Sequence, residues 1–256
     1  QLKLQVVLPR LKFTYVLAWL KQYNPNYYLG NAVTKMMSTH RLEVAPWWFL
    51  DVGLHSAVVY AEEFEPAYLN PVMFYRSAEH YLGDNGNALM GLDVELKAIP
   101  NTKVYGELFL DDVTTSRLGD GFYGNKYGYT AGLYHVDLFG IANLDARVEY
   151  TRIRPYTYSH KNDTTRYQHF STIMGHWIGP NSDYVWGRLD YRFSKRTRFQ
   201  LQLEQLRHGA NAVAHLPLPI GPFGKCDFAD GHAIGDLLLC IRKYRHGFSS
   251  RVSAAK

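Results

Sequence analysis

Hydrophobic and polar residues alternate with a period of two along most of this chain. From Ile141 to Thr151 one set holds Ala142, Leu144, Ala146, Val148 and Tyr150. The other holds Asn143, Asp145, Arg147, Glu149 and Thr151. Successive side chains of an extended strand point to opposite faces, so this spacing predicts a strand with one apolar and one wet face. A helix would scatter both sets around its circumference. The pattern recurs: Met90, Leu92, Val94, Leu96 and Ala98 oppose Asp93, Glu95 and Lys97, and Val104, Gly106, Leu108 and Leu110 oppose Tyr105, Glu107, Phe109 and Asp111. Val185, Gly187, Leu189, Tyr191 and Phe193 oppose Trp186, Arg188, Asp190 and Arg192, and Phe199, Leu201 and Leu203 oppose Gln200, Gln202 and Glu204. Near the start, Trp48, Leu50, Val52, Leu54, Ser56 and Val58 oppose Phe49, Asp51, Gly53, His55 and Ala57, and Phe13, Tyr15, Leu17 and Trp19 share one face.

The alternation predicts roughly twelve strands of about 8–14 residues, longer than the usual 5–6 and matching the roughly 9–11 of a transmembrane strand. Their connections alternate in style. Ala45-Pro46, Pro100-Asn101, Phe139-Gly140 and Ser194–Thr197 read as tight turns, whereas Glu62–Pro71, Thr114–Tyr127, Arg154–Arg166 and His208–Gly235 read as long loops. Short turns at one end and long loops at the other are the layout of an outer-membrane barrel. The expected fold is therefore all-β: an antiparallel transmembrane β-barrel, of which this chain supplies about twelve strands. No helix pattern or internal repeat is evident, and residues 1–256 read as one domain. Its least patterned part is Ala210–Asp236.

The wet face is dense in both acids and bases: Arg41, Glu43, Asp51, Asp93, Glu95, Lys97, Glu107, Asp145, Arg147, Glu149, Arg188, Asp190, Arg192 and Glu204. Such a face suits either a lumen, where charges pair across strands and meet water, or a surface solvated by bulk water. Trp19, Trp48, Tyr60, Tyr150, Tyr191 and Phe193 fall near strand ends on the apolar face, where membrane barrels carry aromatic girdles.

Composition narrows the class. The chain has 256 residues, 46% of them hydrophobic, which excludes a disordered chain. Two cysteines exclude a disulfide scaffold. Mean hydropathy is −0.27 and no run of eighteen apolar residues occurs, which excludes helical spans. Neither excludes a barrel, whose alternating strands average out polar. Lys and Arg number 28 against 23 acids, a net charge of +5 without a basic block, so nucleic acid is not an expected partner. The chain begins at Gln1 with no leader pattern; a removed leader or an earlier part of a longer chain is expected. Cys226 and Cys240 could form a disulfide or remain two thiols, and they make no metal motif.

No nucleophile elbow, zinc, phosphate-loop or dinucleotide motif appears. Asp111 and Asp112 are neighbours on one strand, so they point to opposite faces and do not form an acid–base pair. His169 and His176 are an odd number of positions apart and form no metal pair. Two segments combine turn formers, aromatics and directed polar groups: Tyr68–Leu82 and Gly175–Asp183. Aromatic faces beside Arg, Asp, Asn and His are what sugar recognition uses.

The same segments carry a resemblance. Asn70–Glu79, Asp84–Asp93, Tyr105–Asp112, Gly175-His176 and Gly179-Pro180-Asn181 resemble the capsule-assembly Wzi family of outer-membrane proteins, from about Thr34 to about Asn211. The resemblance implies a lectin-like barrel in the bacterial outer membrane that holds capsular or extracellular polysaccharide, surrounded by outer-membrane lipid. It implies no catalysis and no cofactor, and a monomer without a metal site is expected. It also implies a larger barrel preceded by a small helical part, so this chain is expected to be the C-terminal portion. Its end, Arg251–Lys256, departs from the usual aromatic finish, and Phe248 is the nearest candidate for the last strand's end. Candidate polysaccharide contacts are Arg76, Glu79, Asp111, Asp112, His176 and Asn181. The competing readings are a diffusion porin, which needs an open charged lumen, a barrel hydrolase, which needs a catalytic cluster drawn from several strands, and a soluble β-sandwich.

Overall fold

The computed structural model describes residues 1–22, 33–61, 64–117, 119, 121–170 and 172–209, and the backbone of 248–255. Cys226, Cys240 and the irregular stretch Ala210–Asp236 lie outside the described residues. The strands are β1 (Leu2–Leu8), β2 (Leu11–Gln22), β3 (Val33–Trp47), β4 (Leu50–Ala61), β5 (Asn87–Leu96), β6 (Thr102–Asp112) and β7 (Lys126–His135). They continue with β8 (Leu144–Ile153), β9 (Gln168–His169), β10 (Thr172–Ile173), β11 (Ser182–Arg192), β12 (Arg198–His208) and β13 (Phe248–Ala255). All but β9 and β10 join one antiparallel sheet, ordered β1-β2-β3-β4-β5-β6-β7-β8-β11-β12-β13. Each long strand thus pairs with its neighbours in sequence, the meander of a barrel wall; the sheet is not closed, with β1 and β13 at its edges. β9 and β10 form a small hairpin inside the β8–β11 loop.

The register keeps the two faces apart. One row runs Leu42, Leu54, Leu92, Leu108 and Tyr129 across β3 to β7. The opposite face carries a row of Asp51, Glu95, Tyr105, Gly132, Glu149, Trp186 and Glu204 from β4 to β12. Leu54 and Val148 on the apolar face are 51% and 55% exposed, as they would be against lipid rather than in a core.

The charged face is the concave one. Phe170 N–H donates to Lys21 O of β2 at 2.5 Å. Three residues on, Ile173 packs on a cluster of Ile153 (β8), Tyr158, Ile178 and Tyr184 (β11). Three residues reach at most about 10 Å, whereas β2 and β8 are six strand spacings apart, roughly 29 Å in a flat sheet. The sheet therefore curls around loop 154–181, which lies over the charged face as a strap. Lys35 on that face donates to Arg166 O at 2.7 Å and to Gln22 at 2.9 Å, and Asn87 donates to Thr165 O at 3.1 Å.

Four local expectations need correction. Ala45-Pro46 is not the turn: β3 continues to Trp47 across a register shift between Val44 and Trp47, and the turn is Trp48-Phe49. Pro46 lacks a ladder donor, and a bulge is where a strand tolerates that. A helix, α1 (Tyr75–Tyr81), stands where no helix is expected; seven residues are too few to show a helical period. Tyr60 belongs to no exposed girdle, being 3% exposed beneath Tyr68 and α1, whereas Trp48 and Phe193 are exposed as expected. β13 starts at Phe248 rather than ending there.

Glycines on the charged face let neighbouring side chains lie flat. A Cβ on Gly91 would meet the His55 imidazole from the paired position on β4, whereas a Cβ on Gly106, on the apolar face, would have only Thr130 O nearby, at 3.5 Å. Gly91→Ala is expected to cost about 1–3 kcal/mol through overpacking, and Gly106→Ala to stay within about 0.5 kcal/mol. Denaturant unfolding of both variants in detergent micelles checks the contrast.

Candidate functional site at the loop rim

The loops following β4, β6 and β8 meet at one end of the sheet. In the first, Glu65 caps the turn Pro66–Leu69 through Ala67 N–H at 3.1 Å, and α1 follows. Tyr75 is fully buried and Ala78 packs beside it, on the apolar face of β3 to β5. This seats Arg76, which pairs with Asp112 of β6 at 2.9 Å and with Glu79 at 3.5 Å. Glu79 is 4% exposed and accepts from Ala88 N–H at 3.3 Å. Burial pushes its carboxyl above the ordinary range, against the pull of Arg76 and that N–H. Lys126 of β7 stands 4.0 Å from Asp112 and donates to Ser159 O at 3.2 Å, linking this loop to the strap.

Asp111 faces the other way. It is buried and accepts from Tyr158 N–H at 2.6 Å, while the Tyr158 hydroxyl accepts from His176 N–H at 3.1 Å. Tyr156, Tyr158, Phe170 and Asn181 all adopt left-handed backbone in this strap. Each costs roughly 1–3 kcal/mol and persists only where surroundings fix it; the Asp111 and His176 bonds do so for Tyr158. Asn181 closes the strap against both flanking strands: its N–H donates to Arg154 O at 3.2 Å and its carbonyl accepts from Gly209 N–H at 2.7 Å. Burial holds His176 below its ordinary pKa.

The structure therefore brings Arg76, Glu79 and Asp112 together, and separately links Asp111 to His176 through Tyr158. Asn181 is a backbone hinge at the foot of the strap. Composition of these segments did not single out the exposed aromatics. Trp177, Tyr123 and Tyr81 are 68%, 66% and 91% exposed, and Arg117 lies over the Phe122 ring at 3.8 Å. Trp177 sits edge-on to Tyr184 at 5.1 Å, which holds its ring while leaving it open. Ring faces beside fixed charges are the signal that would have found them.

Deeper on the charged face, ion pairs run from strand to strand. Glu43 joins Lys12 at 2.6 Å and Arg41 at 2.8 Å, and Arg41 reaches Asp93 at 2.7 Å. Tyr105 donates to Glu149 at 2.5 Å and accepts from Arg147 at 2.8 Å. Asp190 holds Arg188 and Arg198. A cleft of about 420 Å³ lies at the tight-turn end among Tyr105, Tyr134, Trp186, Arg147 and Arg188. Half-exposed pairs contribute at most about 1 kcal/mol each, so their main effect is on register. Among the described residues, no group of three or more His, Cys, Asp or Glu could hold a metal ion.

The sequence profile of the capsule assembly protein Wzi family matches residues 2–223. The chain belongs to the Wzi capsule-assembly family. No curated protein matches it. Among solved structures it is similar to Wzi of Escherichia coli, an outer membrane protein involved in group 1 capsule assembly and a carbohydrate-binding β-barrel. That match has a TM-score of 0.53 and 16% identity, and covers 77% of this chain. The chain spans 42% of that structure's length. At this identity the likeness is one of fold, and the open sheet of the Wzi-family chain corresponds to a stretch of barrel wall.

Two outcomes test the strap. Asp111→Ala strands Tyr158 N–H and is expected to speed proteolytic nicking within 154–181 while the sheet's circular dichroism is unchanged. His160 is held down to about 4, chiefly by burial and then by Lys126 and Lys161. Its folded pKa lies below the unfolded 6.5, so unfolding takes up a proton between those values. Wild-type stability should fall as pH drops from 6.5 towards 4, and His160→Gln should flatten that slope in denaturant titrations.

Proposed function

We propose that this chain is part of the wall of a bacterial outer-membrane β-barrel whose long-loop rim binds capsular or extracellular polysaccharide, without a catalytic step. The observation that carries this reading is the rim itself. Exposed rings of Trp177, Tyr123 and Tyr81 share the loop end with the Arg76–Asp112–Lys126 group. A pyranose presents apolar C–H faces to stack on rings and hydroxyls that demand fixed donors and acceptors. Family membership supports the role in capsule assembly.

The six residues proposed from sequence divide by position. Arg76, Asp112 and His176 are the groups a glycan could meet. Glu79 and Asp111 are buried and act by positioning Arg76 and Tyr158. Asn181 acts by setting the strap's closing turn. A diffusion porin is the less favoured reading, because the strap lies over the charged face and the charges there are paired. A hydrolase would need a carboxylate pair facing one cavity; Asp111 and Asp112 face opposite sides of the sheet, and Glu79 and Asp112 are both taken up by Arg76, with Glu79 buried.

Binding of purified protein to the native surface polysaccharide decides the matter. Trp177→Ala is expected to weaken binding about tenfold, or about 1.4 kcal/mol, as for loss of one aromatic anchor. Arg76→Ala and His176→Ala should each weaken it measurably. Wild-type binding no greater than to a neutral dextran would sink the lectin reading, and step conductance in planar bilayers would favour the porin.

A further inference from the structure

The exposed apolar belt stops short on β3 and β4. From the exposed turn residue Trp48 to Leu54, the last exposed large apolar residue on β4, is six residues. That is at most about 20 Å of strand, shortened further by tilt. The lipid-facing band of a barrel is about 25 Å tall. Beyond Leu54 the outward positions are Ser56, Val58 and Tyr60 on β4, and His40, Ser38 and Met36 on β3, and none of the six is exposed. Ser38 and Ser56 are 0% and 5% exposed, because loop 64–82 covers them. The Tyr75 ring lies 4.8 Å from His40, and the Tyr15 hydroxyl donates to Tyr68 O at 3.5 Å.

The covering segment presents its own apolar surface. Phe64, Leu69, Val72, Phe74 and Tyr81 are all exposed, Val72 at 78%. Within α1, Tyr75, Ala78 and Glu79 face the sheet. Phe74, Ser77 and Tyr81, spaced three and four apart, face away. The underside of the segment already meets the sheet through Tyr68, Tyr75 and Ala78, and a water-exposed loop has no reason to turn five further large apolar side chains outward. We infer that the segment Phe64–Leu82 replaces the missing strand surface and meets the acyl and headgroup boundary of the outer leaflet. Phe74 and Val72 enter the lipid, and Tyr81 sits at the level where amphipathic rings collect. The segment is then a lipid-bearing patch on the barrel's outer wall, and it carries Arg76 to the rim from the membrane side. This inference rests on the barrel reading of the sheet and on its outward face being the apolar one.

Nitroxide accessibility tests it. In a Cys226→Ser, Cys240→Ser background, single labels are placed by Val72→Cys, Phe74→Cys and Tyr81→Cys, and the full chain is reconstituted in phosphatidylcholine vesicles. Val148→Cys reports the belt and Tyr105→Cys the inner face. At 72 and 74, collisions with oxygen should exceed those with a water-soluble nickel chelate, as at 148, with the order reversed at 105. Position 81 should lie between. Nickel dominance at both 72 and 74 with oxygen dominance at 148 overturns the lipid patch and leaves the barrel standing. Nickel dominance at 148 overturns the barrel itself. Labels at 72 and 74 shielded from both reagents would mean that protein, not lipid, covers the patch, which also overturns it.

Discussion

The backbone ladder from β1 to β13 is the constraint on which everything else here depends. A wall with hydrocarbon on one side has no water there to satisfy N–H and C=O groups, so each strand must be paired along its length. Pairing between sequence neighbours achieves this with short connections. It also fixes parity: once Leu54 faces Leu92 and Leu42, Gly53 must face Asp93 and Glu43. One decision about register sends the row through Leu54 and Leu92 outward and the row through Glu43 and Asp93 inward, and a slip of one residue would put the Arg41–Asp93 pair into lipid.

Two loops then finish what the ladder leaves undone, one on each face. The strap 154–181 brings Tyr158, Tyr167, Ile173 and Ile178 onto Phe109, Trp186 and Tyr184, giving the charged face an apolar cluster of its own. Segment 64–82 brings Tyr68 and Tyr75 onto Val58, Tyr60 and Ala88 on the other face. Both rely on tyrosine rings to fill the space; in the strap the Tyr158 hydroxyl also accepts from His176 N–H, and on the other face the Tyr15 hydroxyl of β2 donates to Tyr68 O. The loops meet at Lys126, which stands beside Asp112 and binds Ser159 O. The rim is thus tied to both faces of the wall, and its exposed Trp177 ring is held by the buried Tyr184.

The inner charges make a different contribution. Their pairs reach across the sheet, as from Arg41 of β3 to Asp93 of β5 over Gly53 of β4, and glycines such as Gly53 and Gly91 give the side chains room to lie along it. Such a surface is wet but internally neutralised, so it exerts little net pull on a passing ion. The groups left to meet a partner are at the rim, where ring faces are open.

Much of this was legible in the sequence. Strict period-two alternation determined the strands, and loop lengths determined that the long connections share one end, because side-chain direction and turn geometry are local properties. The resemblance carried by Asn70–Glu79 and Tyr105–Asp112 pointed to the family without showing how those segments meet. Local pattern said Asp111 and Asp112 diverge; it took the fold to give Asp111 to Tyr158 and Asp112 to Arg76. The helix at Tyr75–Tyr81 was too short to declare a period, and Pro46 suggested a turn where the ladder absorbed a bulge. The sequence by itself determined which residues share a face. Only the tertiary structure decided which face curls inward, which loop covers it and which charges stand together, because those depend on contacts between residues far apart in the chain.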